Sequence, residues 1–430
     1  MRSFAMKPFY AFMFGSLCAG SALAQKAGPD HAQDVQHIVE SPSFKDATEA
    51  LRKSHDRWVN EIVEITEIPS PPFKESQRAE AFRKKLEEAG LSDVEIDKEG
   101  NAFGVRKGTG GGPLVVVSAH LDTVFPEGTD VKVKRQGNRL SAPGVGDDSS
   151  GLATLLSVAR AMDAAKLKTK GDIVFMGNVG EEGLGGLRGV RYFFTEGKYK
   201  DKVDYFFSLD GSKADITNCG VGSKRYRVTY KGPGGHSFSA FGIVNPMTAM
   251  AQTVVDLYKI KTPEDPKTTY SASVTGGGTS ANAIPNEAWM LFDMRSPDPA
   301  ELNKLNDQFL KIVNDSVTQE NKARSTKDGE VSVDIKLVGD RPAGRTADDQ
   351  PITLITKAAF KANGIETHDR CASTDSNLPM SLGIPALTIP RIAKSERAHA
   401  LDEWIEVNPE ADLKIKQAIL TTLVGTAQMQ

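Results

Sequence analysis

Long hydrophobic runs are almost absent from this sequence of 430 residues. Beyond the N-terminal segment, none approaches the roughly 18 uninterrupted apolar residues that a membrane-spanning helix needs, so we expect a soluble mature protein without a membrane partner. An excess of positive charge is also lacking, because 53 lysines and arginines are outnumbered by 56 aspartates and glutamates. The chain has no basic patch interleaved with aromatic residues, which excludes nucleic acid as an expected partner.

Cysteine is scarce as well, and one of the three cysteines lies in an unusual N-terminal segment. Residues 1–24 place Arg2 and Lys7 before an apolar stretch that ends in a small-x-small site, the pattern of a cleaved signal peptide. A membrane anchor, the alternative, would need a longer apolar run. We therefore expect a secreted or periplasmic protein. Cys219 and Cys371 could pair there, but the sequence does not show whether their Cα atoms are close.

Strands and helices alternate on both sides of an insertion. Up to about residue 221, continuous apolar strands such as PLVVVSAH are followed by helical segments, which predicts a mostly parallel sheet with helices on both faces. The pattern over 222–340 is β-α-β-β-α-β, the order of a ferredoxin-like unit. We predict an α/β domain in two parts, 44–221 and 341–430, with an inserted α+β lid. Residues from about 25 to 43 are polar, and we predict that this segment is disordered.

Acidic residues and histidines follow the ends of the predicted strands. In an open α/β sheet the binding crevice lies at the carboxyl ends of the strands. His120 and Asp122 end the strand VVVSAH, and the other candidates follow later strands or begin a helix: Asp147, Asp148, Glu181, Glu182, Asp210 and His399. Each acid alone is better explained as a helix cap or a solvated turn. Together they would bury several carboxylates at one place, which is costly without counter-charge.

Divalent metal ions supply that counter-charge. Imidazole and carboxylate ligands suit Zn²⁺, and a carboxylate that bridges two ions suits a two-metal site. Three ligand carboxylates and one hydroxide would balance the charge of two divalent ions. One glutamate would then remain free to act as a base.

Five segments stand in the order and spacing of the co-catalytic zinc peptidases of the M20 family, which they resemble: SAHLDTV, GVGDDSSG, GNVGEEG, SLDG and AHALDE. The resemblance covers nearly the whole mature chain. The segment STDSNLPMSLGIPAL is most similar to the tripeptidase-like and carboxypeptidase G2-like branch. The family likeness implies two Zn²⁺ ions, with Co²⁺ or Mn²⁺ as alternatives. Asp147 would bridge them. His120 and Asp210 would complete one site, and Glu182 and His399 would complete the other.

The same resemblance assigns catalytic roles to two further acids. Glu181 would be the general base, taking a proton from the metal-bridging water and delivering it to the leaving amine. Asp122 would hydrogen-bond the far ring nitrogen of His120 and fix its tautomer.

Three residues of the inserted segment complete the site that the resemblance implies. His236, in KGPGGHSFSA, would polarise the scissile carbonyl, often from a partner subunit, which allows a homodimer formed through the lid. Asn282 and Arg295 would bind the end of the substrate. An arginine suits bidentate capture of a free α-carboxylate.

The leading hypothesis is a di-zinc metallopeptidase that hydrolyses amide bonds of small peptides. The first alternative is a deacylase or amidase of the same family that acts on N-acyl amino acids. The second is a metal-dependent binding protein without catalysis, and Glu181 argues against it, because a binding site has no use for a general base. The sequence leaves open the side-chain preference and whether the enzyme is an aminopeptidase or a carboxypeptidase.

Overall fold

The computed structural model describes residues 31–429, so the predicted signal peptide lies outside the described residues. In this range the helices are α1 (His31–Glu40), α2 (Pro42–Lys53), α3 (His55–Thr66), α4 (Ser76–Glu88), α5 (Ser149–Ala164), α6 (Arg188–Thr195), α7 (Pro246–Leu257), α8 (Pro299–Ala323), α9 (Pro351–Ala362), α10 (Asn377–Ser381) and α11 (Pro409–Ala427). A single 3₁₀ turn covers Gly183–Gly185. None of these helices is both long and apolar enough to cross a membrane.

The strands of the same range are β1 (Ser92–Ile96), β2 (Ala102–Arg106), β3 (Val115–His120), β4 (Lys134–Gln136), β5 (Arg139–Ser141), β6 (Ile173–Asn178), β7 (Tyr205–Gly211), β8 (Asp215–Gly220), β9 (Gly222–Lys231), β10 (Gly235–His236), β11 (Thr269–Gly277), β12 (Ala283–Ile284), β13 (Glu287–Ser296), β14 (Ser332–Arg341), β15 (Gly344–Arg345), β16 (His368–Ala372), β17 (Ala386–Pro390), β18 (Ser395–Glu396) and β19 (Trp404–Glu406).

The main sheet has the order β1-β2-β6-β3-β7-β17-β8-β15, with β16 paired to β8. Its central strands β6, β3, β7 and β17 run parallel, and antiparallel pairs lie toward both edges. Strand β3 is buried at every position because helices cover both faces of the sheet. Helix α5 is buried on almost all sides, since it lies against β3 and also against α2 and α3. The predicted mostly parallel sheet is confirmed.

The inserted segment forms a separate antiparallel sheet of β9, β11, β13 and β14 in the order β11-β13-β9-β14. Helices α7 and α8 pack against β9 and β13 and enclose a hydrophobic core of their own, which includes Val228, Met290 and Phe309. Along β13 every second residue is buried, as expected for a sheet with one covered face. This is the predicted ferredoxin-like order, and the boundaries 44–221, 222–340 and 341–430 stay a prediction.

The segment before residue 44 departs from its prediction. Residues 31–43 are not disordered but helical, because α1 packs its apolar stripe, with Val35 buried, against α9 and α11. Helix α2 begins where the Ser41 hydroxyl accepts the amide of Phe44 at 3.2 Å. The narrowness of the apolar stripe explains why the polar composition was misleading.

Cys219 and Cys371, whose pairing the sequence left open, are joined in a disulfide with Cα atoms 4.5 Å apart. They lie opposite each other on the parallel neighbours β8 and β16. The bond therefore ties the end of one sheet strand to the segment that precedes α10.

Candidate active site

Parallel strands of the main sheet bring the predicted site residues to one edge. His120 is the last residue of β3, and Asp210 lies near the end of β7. Glu181 and Glu182 follow β6, which pairs with β3 in parallel. Asp147 lies just before α5, whose first turn faces the same edge. The carboxyl ends of neighbouring parallel strands meet at one side of a sheet, so the fold concentrates these groups there.

Asp147 lies at the centre of the cluster and faces two imidazoles. Its Oδ1 is 3.1 Å from His120 Nε2, and its Oδ2 is 3.3 Å from His399 Nε2. The Nε2 of His399 is also 3.0 Å from Glu182 Oε1, and the Nε2 of His120 is 4.0 Å from Asp210 Oδ1. The structure therefore brings all five predicted metal ligands together. One oxygen of Asp147 lies on the side of His120 and Asp210, and the other lies on the side of Glu182 and His399; these are the two halves of the site.

The donor set at His120 fits a divalent cation. Its Nδ1 lies 2.9 Å from the main-chain carbonyl oxygen of Asp122, which only accepts, so Nδ1 carries a proton. In a neutral ring Nε2 is then an acceptor, yet it faces an oxygen of Asp147, which is also an acceptor. Burial lowers the pKa of His120, but Asp147 and Asp148 together raise it well above the usual value. A positive charge belongs between these two acceptors, and imidazole with carboxylate suits a bound metal.

His399, the exposed histidine of the two, also lies between carboxylates that favour a positive charge. Hydrogen bonds to Asp147 and Glu182 raise the pKa of His399 to about 10, although its side chain is 56% exposed. For Asp147, burial favours a higher pKa, but Arg391 and the two histidines hold the pKa well below the usual range. The candidate bridging group is therefore an ionised carboxylate.

Asp122 acts through different atoms from those predicted. Its Oδ1 is 3.8 Å from His120 Nδ1, and the ring is held by the main-chain carbonyl of Asp122. The carboxylate instead accepts the amides of Glu181 at 3.1 Å and Glu182 at 2.8 Å. The prediction that the carboxylate bonds to the ring is wrong, because two buried amide donors of the turn after β6 take both of its oxygens.

Glu181 is buried beside an arginine that sequence reasoning missed. Its Oε1 accepts a hydrogen bond from Arg341 Nη1 at 3.0 Å, and its carbonyl oxygen accepts another from Nη2. Burial raises the pKa of Glu181 well above the usual value, and Arg341 opposes that rise. Arg341 is the last residue of β14, and nothing in its local sequence marks it as a site residue.

A second arginine, Arg391, lies among the candidate ligands. It follows β17 and is 3% exposed, with Nη1 2.5 Å from Asp210 Oδ1 and Nη2 3.5 Å from Asp147 Oδ1. Its Nε is 3.6 Å from Asp148 Oδ1. The sequence does not mark Arg391 although it stands at the end of a strand, because arginine is not a metal ligand.

Glu403 supports the loop that carries Asp147. It is buried, and its carboxylate accepts the amides of Gly144 at 2.9 Å and of Gly146 and Asp147 at 2.8 Å. Burial raises the pKa of Glu403 to about 7. The sequence did contain a signal, because Glu403 lies in the same AHALDE segment as His399.

The cluster opens into a cavity of about 600 Å³ with many cationic side chains. Apart from the acids and His399, its lining includes Lys213, Arg225, Arg295, Arg341, Arg370, Arg391 and Arg397. Arg295, predicted to bind substrate, lines this cavity. Its Nε is 2.8 Å from Asp293 Oδ2, and Arg225 Nε is 2.9 Å from the other oxygen of the same Asp293.

The other two lid residues lie elsewhere. His236 and Asn282 are exposed, and neither is among the described residues that line the cavity. Strand β10 pairs His236 with Ala283 of β12, and the amide of Ser237 donates to the carbonyl of Asn282 at 2.9 Å. The two predicted residues are thus neighbours of each other but do not join the cluster within one chain.

The fold matches solved structures of hydrolases over most of its length. The aminopeptidase PepT of Bacillus cereus superposes with a TM-score of 0.71 at 21% identity and covers 87% of this chain and 99% of that one. The YXEP protein of Bacillus subtilis, described as a dinuclear metal binding peptidase from the M20 family, gives 0.63 at 17% identity, covering 86% and 97%. At such low identity these likenesses establish the fold alone.

Relatives by sequence span different shares of the chain. The uncharacterized protein YqjE of Bacillus subtilis is 24% identical over 372 residues, which cover 82% of this chain and 94% of that protein. The succinyl-diaminopimelate desuccinylase of Corynebacterium glutamicum is 25% identical over 246 residues, 56% of this chain and 66% of that protein. A protein of Pyrococcus abyssi is 35% identical over 129 residues, 30% of this chain, and the chain spans only 34% of its length.

A family profile covers more than half of the chain. The profile of peptidase family M20/M25/M40 matches residues 116–426, which include His120, Asp147 and His399 as well as the whole inserted segment. The chain belongs to peptidase family M20/M25/M40 and is a hydrolytic enzyme.

Proposed function

We propose that this chain is a metal-dependent hydrolase of amide bonds in small peptides, with two Zn²⁺ ions, or Co²⁺ or Mn²⁺, as its cofactor. The observation that carries this proposal is the buried carboxylate of Asp147, which turns one oxygen toward His120 and the other toward His399. Glu182 and Asp210 stand beside these histidines as one further carboxylate for each half. When bound, divalent ions supply polarisation of a carbonyl oxygen and a lowered pKa of water.

Glu181 is the proposed general base and acid. It would take a proton from the attacking water and deliver it to the leaving amine. Burial raises the pKa of Glu181, and the neighbouring Arg341 opposes that rise. Asp122 holds the amides of residues 181 and 182 and so fixes the direction of both glutamates.

The cationic wall of the cavity supports a substrate with a free carboxylate. Arg295 and Arg225 each use Nε for Asp293, and Arg225 Nη1 also donates to the carbonyl of Gly183 at 3.5 Å, so the terminal nitrogens of Arg295 are the better placed for a ligand. A free carboxylate belongs to small peptides and to N-acyl amino acids alike. The similarity to a desuccinylase supports the N-acyl amino acid as the second candidate substrate, and membership of a peptidase family supports the peptide as the first.

A second copy of the chain would complete the site in this proposal. His236 lies on an exposed loop with two large apolar side chains, Phe238 at 87% and Phe241 at 86% exposure. Exposed aromatic residues at such a place are typical of protein interfaces. We infer a homodimer through the lid, in which His236 and Asn282 reach the cavity of the partner and His236 stabilises the developing oxyanion.

We also propose that the protein is secreted or periplasmic. A disulfide between Cys219 and Cys371 supports an oxidising location, in agreement with the signal-peptide pattern of residues 1–24. Fractionation of cells that express the tagged full chain tests this: we expect the protein in the periplasm or medium, and retention in the cytoplasm would contradict it.

A hydrolysis assay that compares metal-stripped with metal-reloaded protein tests the proposed function. Chelator-treated enzyme would be assayed with di- and tripeptides, with N-acyl amino acids and with C-terminally blocked analogues, before and after return of Zn²⁺, Co²⁺ or Mn²⁺. We expect turnover only with metal, and poor cleavage of blocked substrates. Equal cleavage of blocked substrates would remove the carboxylate role of Arg295. Absence of metal-dependent hydrolysis throughout would contradict the proposed function.

A further inference from the structure

Arg391 is a buried cation with a fixed position inside the proposed metal site. Its guanidinium meets Asp210 and Asp147 at 2.5 and 3.5 Å, and its side chain is 3% exposed. Its main chain is also held, because the carbonyl accepts Thr154 Oγ1 at 3.1 Å and the amide donates to Gly211 at 3.3 Å. A buried guanidinium is stable only when acids surround it, so Arg391 is a permanent part of the charge of this site.

The arginine touches only one half of the site. Its two terminal nitrogens meet Asp147 Oδ1 and Asp210 Oδ1, the same two oxygens that lie 3.1 and 4.0 Å from His120 Nε2. The other half consists of Asp147 Oδ2, Glu182 Oε1 and His399 Nε2. Among the ion pairs of the described residues, none joins those oxygens to an arginine or lysine.

We propose that Arg391 makes the two metal positions unequal. An ion held by Asp147 Oδ2, Glu182 and His399 would share no ligand oxygen with the arginine, and it would be held tightly. An ion held by His120 and Asp210 would share carboxylate oxygens with the guanidinium of Arg391, and it would be held weakly. This inference rests on the proposed metal-dependent function, and it adds that the purified chain retains one ion, with part of the second ion's charge supplied by the arginine.

The expected difference between the two positions is large. Repulsion between a divalent ion and a guanidinium in a buried site, opposed by partial solvent screening, separates the two dissociation constants by about 100-fold or more. The proposal also states which position binds its ion more tightly, namely the one that His399 completes. Replacing Arg391 should therefore tighten only the position that His120 completes.

Metal binding, measured without any turnover assay, tests the proposal. Chelator-stripped full-length protein would be titrated with Co²⁺, following the visible absorption and the bound metal by plasma mass spectrometry. Wild type is expected to bind one tight equivalent and a second about 100-fold more weakly. Arg391→Met removes the charge at similar length and should bring the second equivalent close to the first. Arg391→Lys keeps the charge and should preserve the inequality.

Arg370→Met provides the matched control. Arg370 also lines the cavity, but it is 47% exposed and pairs with Asp215 outside the cluster, so both equivalents should bind as in wild type. Two equally tight ions in wild type, or an unchanged second equivalent in folded Arg391→Met, would overturn the proposal. If that variant fails to fold, the wild-type isotherm and Arg391→Lys still decide. A wild-type chain that binds no metal would remove the proposed function itself, which is a different result from equal binding.

Discussion

Two buried amides give Asp122 its place in the site. Its carboxylate accepts the N–H groups of Glu181 and Glu182, while its carbonyl holds the ring of His120. The carboxylate therefore belongs to the folded chain with or without metal. A residue whose only partner was the imidazole would matter for metal binding alone.

Asp122→Ala should consequently destabilise even metal-free protein. Two buried amides would lose their acceptor, at a cost of about 1–3 kcal/mol each. The measurement is thermal unfolding of chelator-treated wild type and variant, with metal affinity recorded in parallel. Asp130→Ala, an exposed acid of the same connection, serves as control and should melt like wild type. Unchanged unfolding of metal-free Asp122→Ala would contradict this account.

Single residues were predictable where a strand end marked them. His120, Glu182 and Asp210 follow neighbouring parallel strands, whose carboxyl ends meet at one edge of the sheet. Asp147 and His399 end no strand of that sheet, and only the family resemblance gave them a place among the predicted ligands. Two arginines, Arg341 and Arg391, were not found, because their partners come from distant parts of the chain. No local pattern tells a surface arginine from one that is buried among carboxylates.

At the scale of elements, a small sheet of β18, β19, β5 and β4 joins the loop of His399 to the loop of Asp147. Glu403, beside β19, accepts the amides of Gly144, Gly146 and Asp147. These strands have two or three residues each, too few for an alternating pattern to be recognised in sequence. The long apolar strands β3, β6 and β7 were predicted, and the polar helix α1 was missed for lack of a wide apolar face.

Glu403→Ala should loosen the loop that carries Asp147 without removing a ligand. We expect metal affinity to fall about 10- to 100-fold, as for other groups that orient ligands, together with a lower melting temperature. Glu406→Ala is the control, since Glu406 lies on β19 but is half-buried and pairs with Lys394 outside the loop. Isothermal titration with Zn²⁺ provides the measurement. Equal affinities for the two variants would refute the capping role.

At the scale of the whole molecule, the disulfide closes a loop of 152 residues that contains the entire lid. Cross-linking of so long a loop stabilises a chain by about 2–5 kcal/mol, in part through the unfolded state. Reductant should lower the melting temperature of wild type and leave a Cys219→Ser/Cys371→Ser double variant unaffected. If wild type melts at the same temperature with and without reductant, the bond contributes nothing to stability.

Dimerisation through the lid predicts that two different inactive variants can restore activity to each other. Glu181→Ala and His236→Ala proteins should each be inactive. When they are mixed and allowed to exchange subunits, activity should return, because one site of the hybrid combines an intact Glu181 with an intact His236 from the partner chain. Two Glu181→Ala preparations mixed with each other should stay inactive. Failure of the hybrid to recover activity, with exchange verified, would mean that His236 does not act across subunits.

The insertion was predictable as a change of pattern, but its relation to the site was not. The switch from buried strands to β-α-β-β-α-β is a local signal, and the observed sheet order agrees with it. Which lid residues face the cavity depends on how the two hydrophobic cores meet. Arg295 lines the cavity, whereas His236 and Asn282 do not. Neither periodicity nor motif spacing carries that information.

Bound metal and turnover, measured on the same sample of Glu181→Gln, show whether Glu181 is the base of a metal-dependent hydrolysis. The carboxylate of Glu181 accepts from Arg341, and its amide donates to Asp122. Among the described residues, no hydrogen bond or ion pair joins that carboxylate to His120 or His399. The account predicts wild-type metal content and a fall of kcat by about 100- to 10,000-fold in peptide hydrolysis. Wild-type turnover in a variant that keeps its metal would contradict the claim that this chain hydrolyses amides with Glu181 as its base.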